Sequence, residues 1–128
     1  MNLSSVSVVI PLFNSEAYIF ETLNSVVCQG IDDLEIIVID DCSNDLGPEI
    51  VRDFIDRGLP VRLINNQRNM GYCYSRNLGA SQASSDWVLF LDSDDQLYPD
   101  ALSELLTFAS GKDLDFVFCL SKSVYRTP

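Results

Sequence analysis

Several stretches of the chain are apolar at nearly every position, and between them apolar residues recur at helical spacing. Val6-Ser-Val-Val-Ile10, ended by Pro11, reads as a short buried strand. Ser15 is placed to cap a helix with Glu16 in its first turn, and apolar residues at 19, 20, 23, 26 and 27 give that helix one buried face ending near Gly30. Leu34 to Ile39 is the next strand. Its Ile36-Ile-Val-Ile39 core is apolar without alternation, as in a parallel sheet covered on both faces. Pro48 opens a second helix, with Ile50, Val51, Phe54 and Ile55 as its buried stripe and Gly58 as its stop. A third strand is predicted over Val61 to Ile64, a third helix from Gly71 to about Ala83, and a fourth strand over Trp87 to Leu91. Pro99 starts a helix through Leu102, Leu105, Leu106 and Phe108, ended by Gly111, and Asp115 to Leu120 is read as a last strand. The alternation βαβαβαβαβ with short connections specifies an α/β, doubly wound, mostly parallel sheet with helices on both faces. A length of 128 residues fits a single domain, 1–128, and the tail 121–128, with no visible partner, is expected to be disordered.

Composition narrows the chemistry. The net charge of −11, with eight Lys and Arg, argues against binding a nucleic-acid backbone. The absence of histidine removes His-based acid–base catalysis and most transition-metal sites. Cys28, Cys42, Cys73 and Cys119 lack CxxC spacing and read as free thiols in a reducing cytoplasm. No apolar run reaches the length of a membrane span, so the chain is expected to be cytoplasmic, a reading compatible with peripheral attachment at the inner face of a membrane.

The acidity is also unevenly spread, because six aspartates (40, 41, 45, 92, 94 and 95) fall in two short segments. Both segments follow apolar strands, and ligands of open parallel sheets bind at the carboxyl ends of the strands. Carboxylates about 5 Å apart repel by roughly 3 kcal/mol per pair at an effective dielectric of 20. Several such pairs would tax a domain stable by about 5–15 kcal/mol, unless a cation reverses the sign. Hard carboxylate oxygens suit Mg²⁺ or Mn²⁺, and Mg²⁺ commonly takes one or two protein ligands plus substrate phosphates. Asp45 and Asp100 read as turn or cap residues. Phe13 either covers the sheet edge or offers a stacking platform. Arg76 is the cation with an obvious place near this edge.

Four segments in order, Val6-Ser-Val-Val-Ile-Pro-Leu-Phe-Asn14, Ile36-Ile-Val-Ile-Asp-Asp-Cys-Ser-x-Asp45, Asn69-x-Gly-x4-Arg-Asn-x-Gly79 and Phe90-Leu-Asp-Ser-Asp-Asp95, resemble the N-terminal half of family 2 glycosyltransferases over about residues 5–102. The resemblance implies the GT-A, Rossmann-like fold and inverting transfer of a sugar from a nucleotide diphosphate donor, most often a UDP-sugar, to a sugar, lipid or glycan acceptor. It implies that Pro11 and Phe13 line the base pocket, with Phe13 where tyrosine is commoner. Asp41 would hydrogen-bond the base, with Asp40 its neighbour, and Arg76 would contact the donor. Asp92-Ser93-Asp94 matches the DXD element, with Asp92 near the ribose and diphosphate and Asp94 on the metal; Asp95 is a further participant. The family's general base lies well downstream, and Glu104, Asp113 and Asp115 match nothing in its motif. The chain therefore reads as an incomplete GT-A domain able to hold a donor. Two alternatives are a nucleotide-binding module without catalysis and a phosphoacceptor receiver domain. In receivers, however, the acidic pair follows the first strand, whereas here a whole strand and helix precede Asp40-Asp41.

Overall fold

The computed structural model describes residues 3–123. Its strands are β1 (Val6–Leu12), β2 (Leu34–Asp40), β3 (Val61–Asn65) and β4 (Trp87–Phe90), and its helices are α1 (Ile19–Val27), α2 (Gly47–Asp56), α3 (Tyr72–Gln82) and α4 (Ala101–Ala109). The sheet has the order β3-β2-β1-β4 and every pairing is parallel. In register, Val8 faces Ile36, Ile10 faces Val38 and Leu12 faces Asp40, so β1 and β2 end together.

The period-two geometry of the strands explains why β1 and β2 are apolar throughout. Val6, Val8, Ile10 and Leu12, with Ile36 and Val38, point to one face and pack under Ile19, Leu23 and Val26 of α1, Val51 and Phe54 of α2, and Leu102 and Leu106 of α4. Val9, Ile37 and Ile39 point to the other face, against Leu78 of α3 and Ala83 just beyond it. The chain winds outward through α1 and α2, then returns across the sheet through α3 to place β4 beside β1. The winding direction thus reverses between β1 and β4, which is where a doubly wound sheet opens a crevice.

Gly79 makes the return crossing possible. A Cβ there would meet Val9 Cγ1 at 2.3 Å, so α3 lies closer to β1 than any side chain at position 79 would allow.

Three expectations need correction. Asp115 to Leu120 forms no strand: Phe116, Phe118 and Leu120 are 76, 81 and 97 % exposed, and no described strand pairs with them. Their apolar pattern favours extended backbone, but a strand forms only where a neighbour satisfies its N–H and C=O groups. Ser15 does not cap α1; the helix begins at Ile19 after a turn in which Tyr18 N and Ile19 N donate to Ser15 O. Pro99 likewise precedes α4 by two residues, and Asp100, at φ 64°, turns the chain into it. Of the tail expected to be disordered, residues 124–128 lie outside the described residues.

Candidate functional site

The carboxyl ends of β1, β2 and β4 and the start of α3 enclose an open cleft of about 660 Å³. Pro11 and Leu12 at the end of β1 and Phe13 and Ser15 just beyond it line one part of the cleft, with Phe13 47 % exposed. Asn69, Gly71, Tyr72 and Arg76 form the opposite wall, and Asp92, Ser93 and Asp94 after β4 close one end. Asp41 is the buried carboxylate among the lining residues.

Asp41 sits one residue beyond β2, where its N–H donates to Leu12 O at 2.9 Å and extends the parallel ladder. Its Oδ1 accepts from Asn66 Nδ2 at 2.8 Å and Met70 N at 2.7 Å, and its Oδ2 from Gly71 N at 2.8 Å. Burial pushes this carboxyl up, but the hydrogen bonds from Met70, Asn66 and Gly71 more than offset it and hold the group below the ordinary aspartate range. The bonds also tie the 66–71 loop to the cleft floor and set a negative charge at the start of α3, where the helix dipole favours it. Gly71 reaches this position at φ 88° and ψ 158°, a conformation that other residues rarely adopt.

Arg76 is the only cation among the lining residues. It pairs with Asp92 at 2.5 Å and lies 4.9 Å from the ring centre of Tyr72, one helical turn earlier. Its buried Nε has no hydrogen-bond partner. The guanidinium is therefore held by charge and stacking, which sets a fixed positive group in the cleft for an anionic ligand.

Asp92, Asp94 and Asp95 each offer one carboxylate oxygen within 4.8 Å of the others, and all three residues are exposed. Burial first, then the charges of Asp94 and Asp92, push the Asp95 carboxyl above its ordinary range. Three hard carboxylate oxygens this close together fit a divalent cation, which would relieve their repulsion.

Of the eight residues singled out from the sequence, the cleft collects Pro11, Phe13, Asp41, Arg76, Asp92, Ser93 and Asp94. Asp40 is not among them; it is 6 % exposed and its Oδ1 accepts from Ser43 N at 3.1 Å, shaping the loop after β2. Asp45 accepts from Gly47 N at 2.9 Å and from Glu16 N at 2.9 Å, which fits its reading as a turn residue; the N-cap of α2 is Leu46. Sequence reasoning missed Leu12, Ser15, Asn69, Gly71 and Tyr72 as lining residues. Asn69 and Gly71 stood inside a quoted motif, and the i, i+4 spacing of Tyr72 and Arg76 was a usable signal. Glu104, Asp113 and Asp115 do not line the cleft.

A sequence model of glycosyl transferase family 2 matches residues 7–126. A glycosyltransferase of Haemophilus influenzae is 34% identical over 124 residues, covering 93% of this chain and 50% of that protein. Glycosyltransferase GlyG of Streptococcus pneumoniae is 30% identical over 112 residues, covering 88% of this chain and 37% of its own length. Among solved structures, S. aureus TarS in complex with UDP superposes with a TM-score of 0.77 at 35% identity, over 82% of this chain and 32% of TarS 1-349. The mannosyltransferase PcManGT of Pyrobaculum calidifontis, in complex with GDP-Man and Mn²⁺, gives 0.79 at 25% identity, over 84% of this chain and 33% of that one. The chain thus spans half or less of the length of these relatives. The parallel sheet, the cleft at its reversal point and the match along almost the whole sequence agree: the chain belongs to glycosyl transferase family 2.

Proposed function

We infer that residues 1–128 form the donor-binding part of an inverting glycosyltransferase that takes a nucleotide diphosphate sugar, with a UDP-sugar favoured, and passes the sugar to a sugar, lipid or glycan acceptor. The observation that carries this reading is the convergence of Phe13, Asp41, Arg76 and Asp92-Ser93-Asp94 on one cleft. TarS binds UDP and UDP-GlcNAc, and PcManGT binds GDP-Man, which supports a nucleotide sugar as the ligand class.

The side chains divide the ligand between them. Phe13 offers a half-exposed ring on which a base can stack. The Asp41 carboxylate retains acceptor capacity beside its three internal bonds, enough to take one N–H from a base. The positive charge of Arg76, on the cleft lining, is set against the diphosphate. Asp94, with Asp92, would hold Mn²⁺ or Mg²⁺, which supplies positive charge against the diphosphate as it departs. Asp92 keeps Arg76 aimed into the cleft, and Asp40 acts indirectly by shaping the loop next to Asp41. The acceptor's proton needs a base that Glu104, Asp113 and Asp115 do not provide at this cleft. Among the described residues no helix is long and apolar enough to cross a membrane, which is compatible with action in the cytoplasm, free or at the inner face of a membrane.

A thermal-shift panel of UDP, GDP and ADP with and without Mn²⁺ tests the reading. A ligand at about 100 times its Kd adds about 2.7 kcal/mol to the native state and raises the melting temperature visibly. The expected result is a shift with UDP that grows in Mn²⁺; no shift with any nucleotide at millimolar concentration would refute the assignment.

A further inference from the structure

Helix α1 carries an unexpected polar stripe. Its buried face is built from Ile19, Leu23 and Val26, yet Thr22 is wholly buried on the same side, Ser25 follows at i+3, and the buried Gln29 comes two residues past the end of the helix. A helix serving only to cover the sheet would be apolar at these positions, because buried polar groups need partners. Three of the partners lie in one segment. Thr22 Oγ1 donates to Ser93 O at 2.9 Å, Leu97 N donates to Ser25 Oγ at 3.0 Å, and Gln29 Nε2 donates to Tyr98 O at 2.9 Å. Gln29 Oε1 then accepts from Leu102 N at 3.0 Å, inside α4. The stripe is also bonded along itself, since Ser25 Oγ donates to Thr22 O at 2.7 Å and Gln29 Nε2 to Ser25 O at 3.0 Å.

The segment so gripped is the irregular stretch between β4 and α4 that bears Asp92, Asp94 and Asp95. The one backbone hydrogen bond within it near the acids is Asp95 N to Asp92 O, at 3.1 Å. Three carboxylates within 4.8 Å would splay such a loop unless something outside it fixes the backbone. We propose that the stripe of Thr22 and Ser25 on α1, continued by Gln29 just after the helix, is the scaffold that presets this loop for its cation, and that Thr22, bonded to the carbonyl of Ser93 between Asp92 and Asp94, is the positioning residue. The proposal rests on the metal-binding role assigned to these aspartates under the proposed function. Thr22 touches neither cation nor nucleotide; it acts through the carbonyl of Ser93. Groups that orient metal ligands from behind change metal affinity by about 10–100-fold when removed.

The test uses the whole chain. Mn²⁺ is titrated into metal-free protein and followed by loss of the free ion's electron paramagnetic resonance signal, while UDP binding is measured calorimetrically in EDTA. Thr22→Val keeps the shape and removes the hydroxyl. It should weaken Mn²⁺ binding by about 10–100-fold and leave metal-free UDP binding unchanged, and Thr22→Ser should restore Mn²⁺ binding to within about threefold of wild type. A purely structural role would lower both affinities or neither. If Thr22→Val fails to fold, Ser25→Ala, at a half-buried position, decides by the same comparison. Folded Thr22→Val that binds Mn²⁺ like wild type overturns the proposal alone. Wild-type protein that takes up no Mn²⁺ overturns the metal assignment and the proposal together.

Discussion

Replacing Asp41 by asparagine changes one buried atom and one charge, and the structure sets the size of the effect. The wild-type carboxylate, 3 % exposed, accepts three hydrogen bonds, from Asn66 Nδ2, Met70 N and Gly71 N. An asparagine oxygen placed at Oδ1 keeps the first two bonds, but its NH₂ then faces the Gly71 N–H, donor against donor. Stranding that N–H costs about 1–3 kcal/mol, and the two surviving bonds fall from charge-assisted to neutral strength, a further loss of about 1 kcal/mol each. The total is about 3–5 kcal/mol, or roughly 12–20 °C at about 4 °C per kcal/mol for a domain of this size. The effect has a pH signature. Asp41 ionises more readily folded than unfolded, so its contribution is complete above the unfolded value of about 3.9 and disappears as pH falls through its lower folded value. Urea denaturation of Asp41→Asn and wild type should show the full gap near about pH 7 and a gap that narrows as pH falls below the unfolded value of about 3.9. A gap under about 1 kcal/mol at neutral pH, or an equal gap at both, would refute the account of this carboxylate.

Three further substitutions probe other parts of the site. Gly79→Ala should destabilise the chain by about 2 kcal/mol, because overpacking against Val9 outweighs the helix-propensity gain of about 1 kcal/mol; an unchanged or higher urea midpoint would contradict the close α3–β1 approach. Asp94→Ala should abolish the Mn²⁺ dependence of UDP binding and raise the melting temperature in EDTA, since Asp94 contributes to the repulsion felt by Asp95; unchanged UDP affinity in excess Mn²⁺ would remove Asp94 from the metal site. Arg76→Lys keeps the charge but loses the guanidinium N–H that pairs with Asp92 and the plane that lies against Tyr72, so UDP affinity should fall about tenfold by calorimetry, and equal affinity would show that charge alone suffices.

The local elements were largely legible because their signals are local. Consecutive apolar residues in β1 and β2 can be buried only if both faces of the sheet are covered, which the packing of α1, α2 and α4 on one face and α3 on the other bears out. Pro48 lies in the first turn of α2, as its missing N–H suggests. Segment 115–120 was misread because β-propensity says that a chain can extend, and only a neighbouring strand decides whether it pairs. The polar stripe on α1 went unread for a related reason. A threonine, a serine and a glutamine among apolar residues look like ordinary helix content until the loop that bonds to them is placed alongside.

By itself, the sequence determined the class of sheet, the crossover helices and the presence of two acidic segments after apolar strands, because hydrophobic period and turn chemistry act over a few residues. Tertiary structure decided how those acids divide. Parallel pairing of β1 with both β2 and β4 brings Asp41 and Asp92, far apart in the chain, to one edge. There Asp41 accepts hydrogen bonds that lower its proton affinity, while burial and the charges of Asp94 and Asp92 raise that of Asp95. Asp40, adjacent to Asp41, turns to the loop after β2 instead of lining the cleft. Residue type is written in the sequence, but whether a carboxylate meets an N–H, a guanidinium or another carboxylate depends on segments that only the fold brings together.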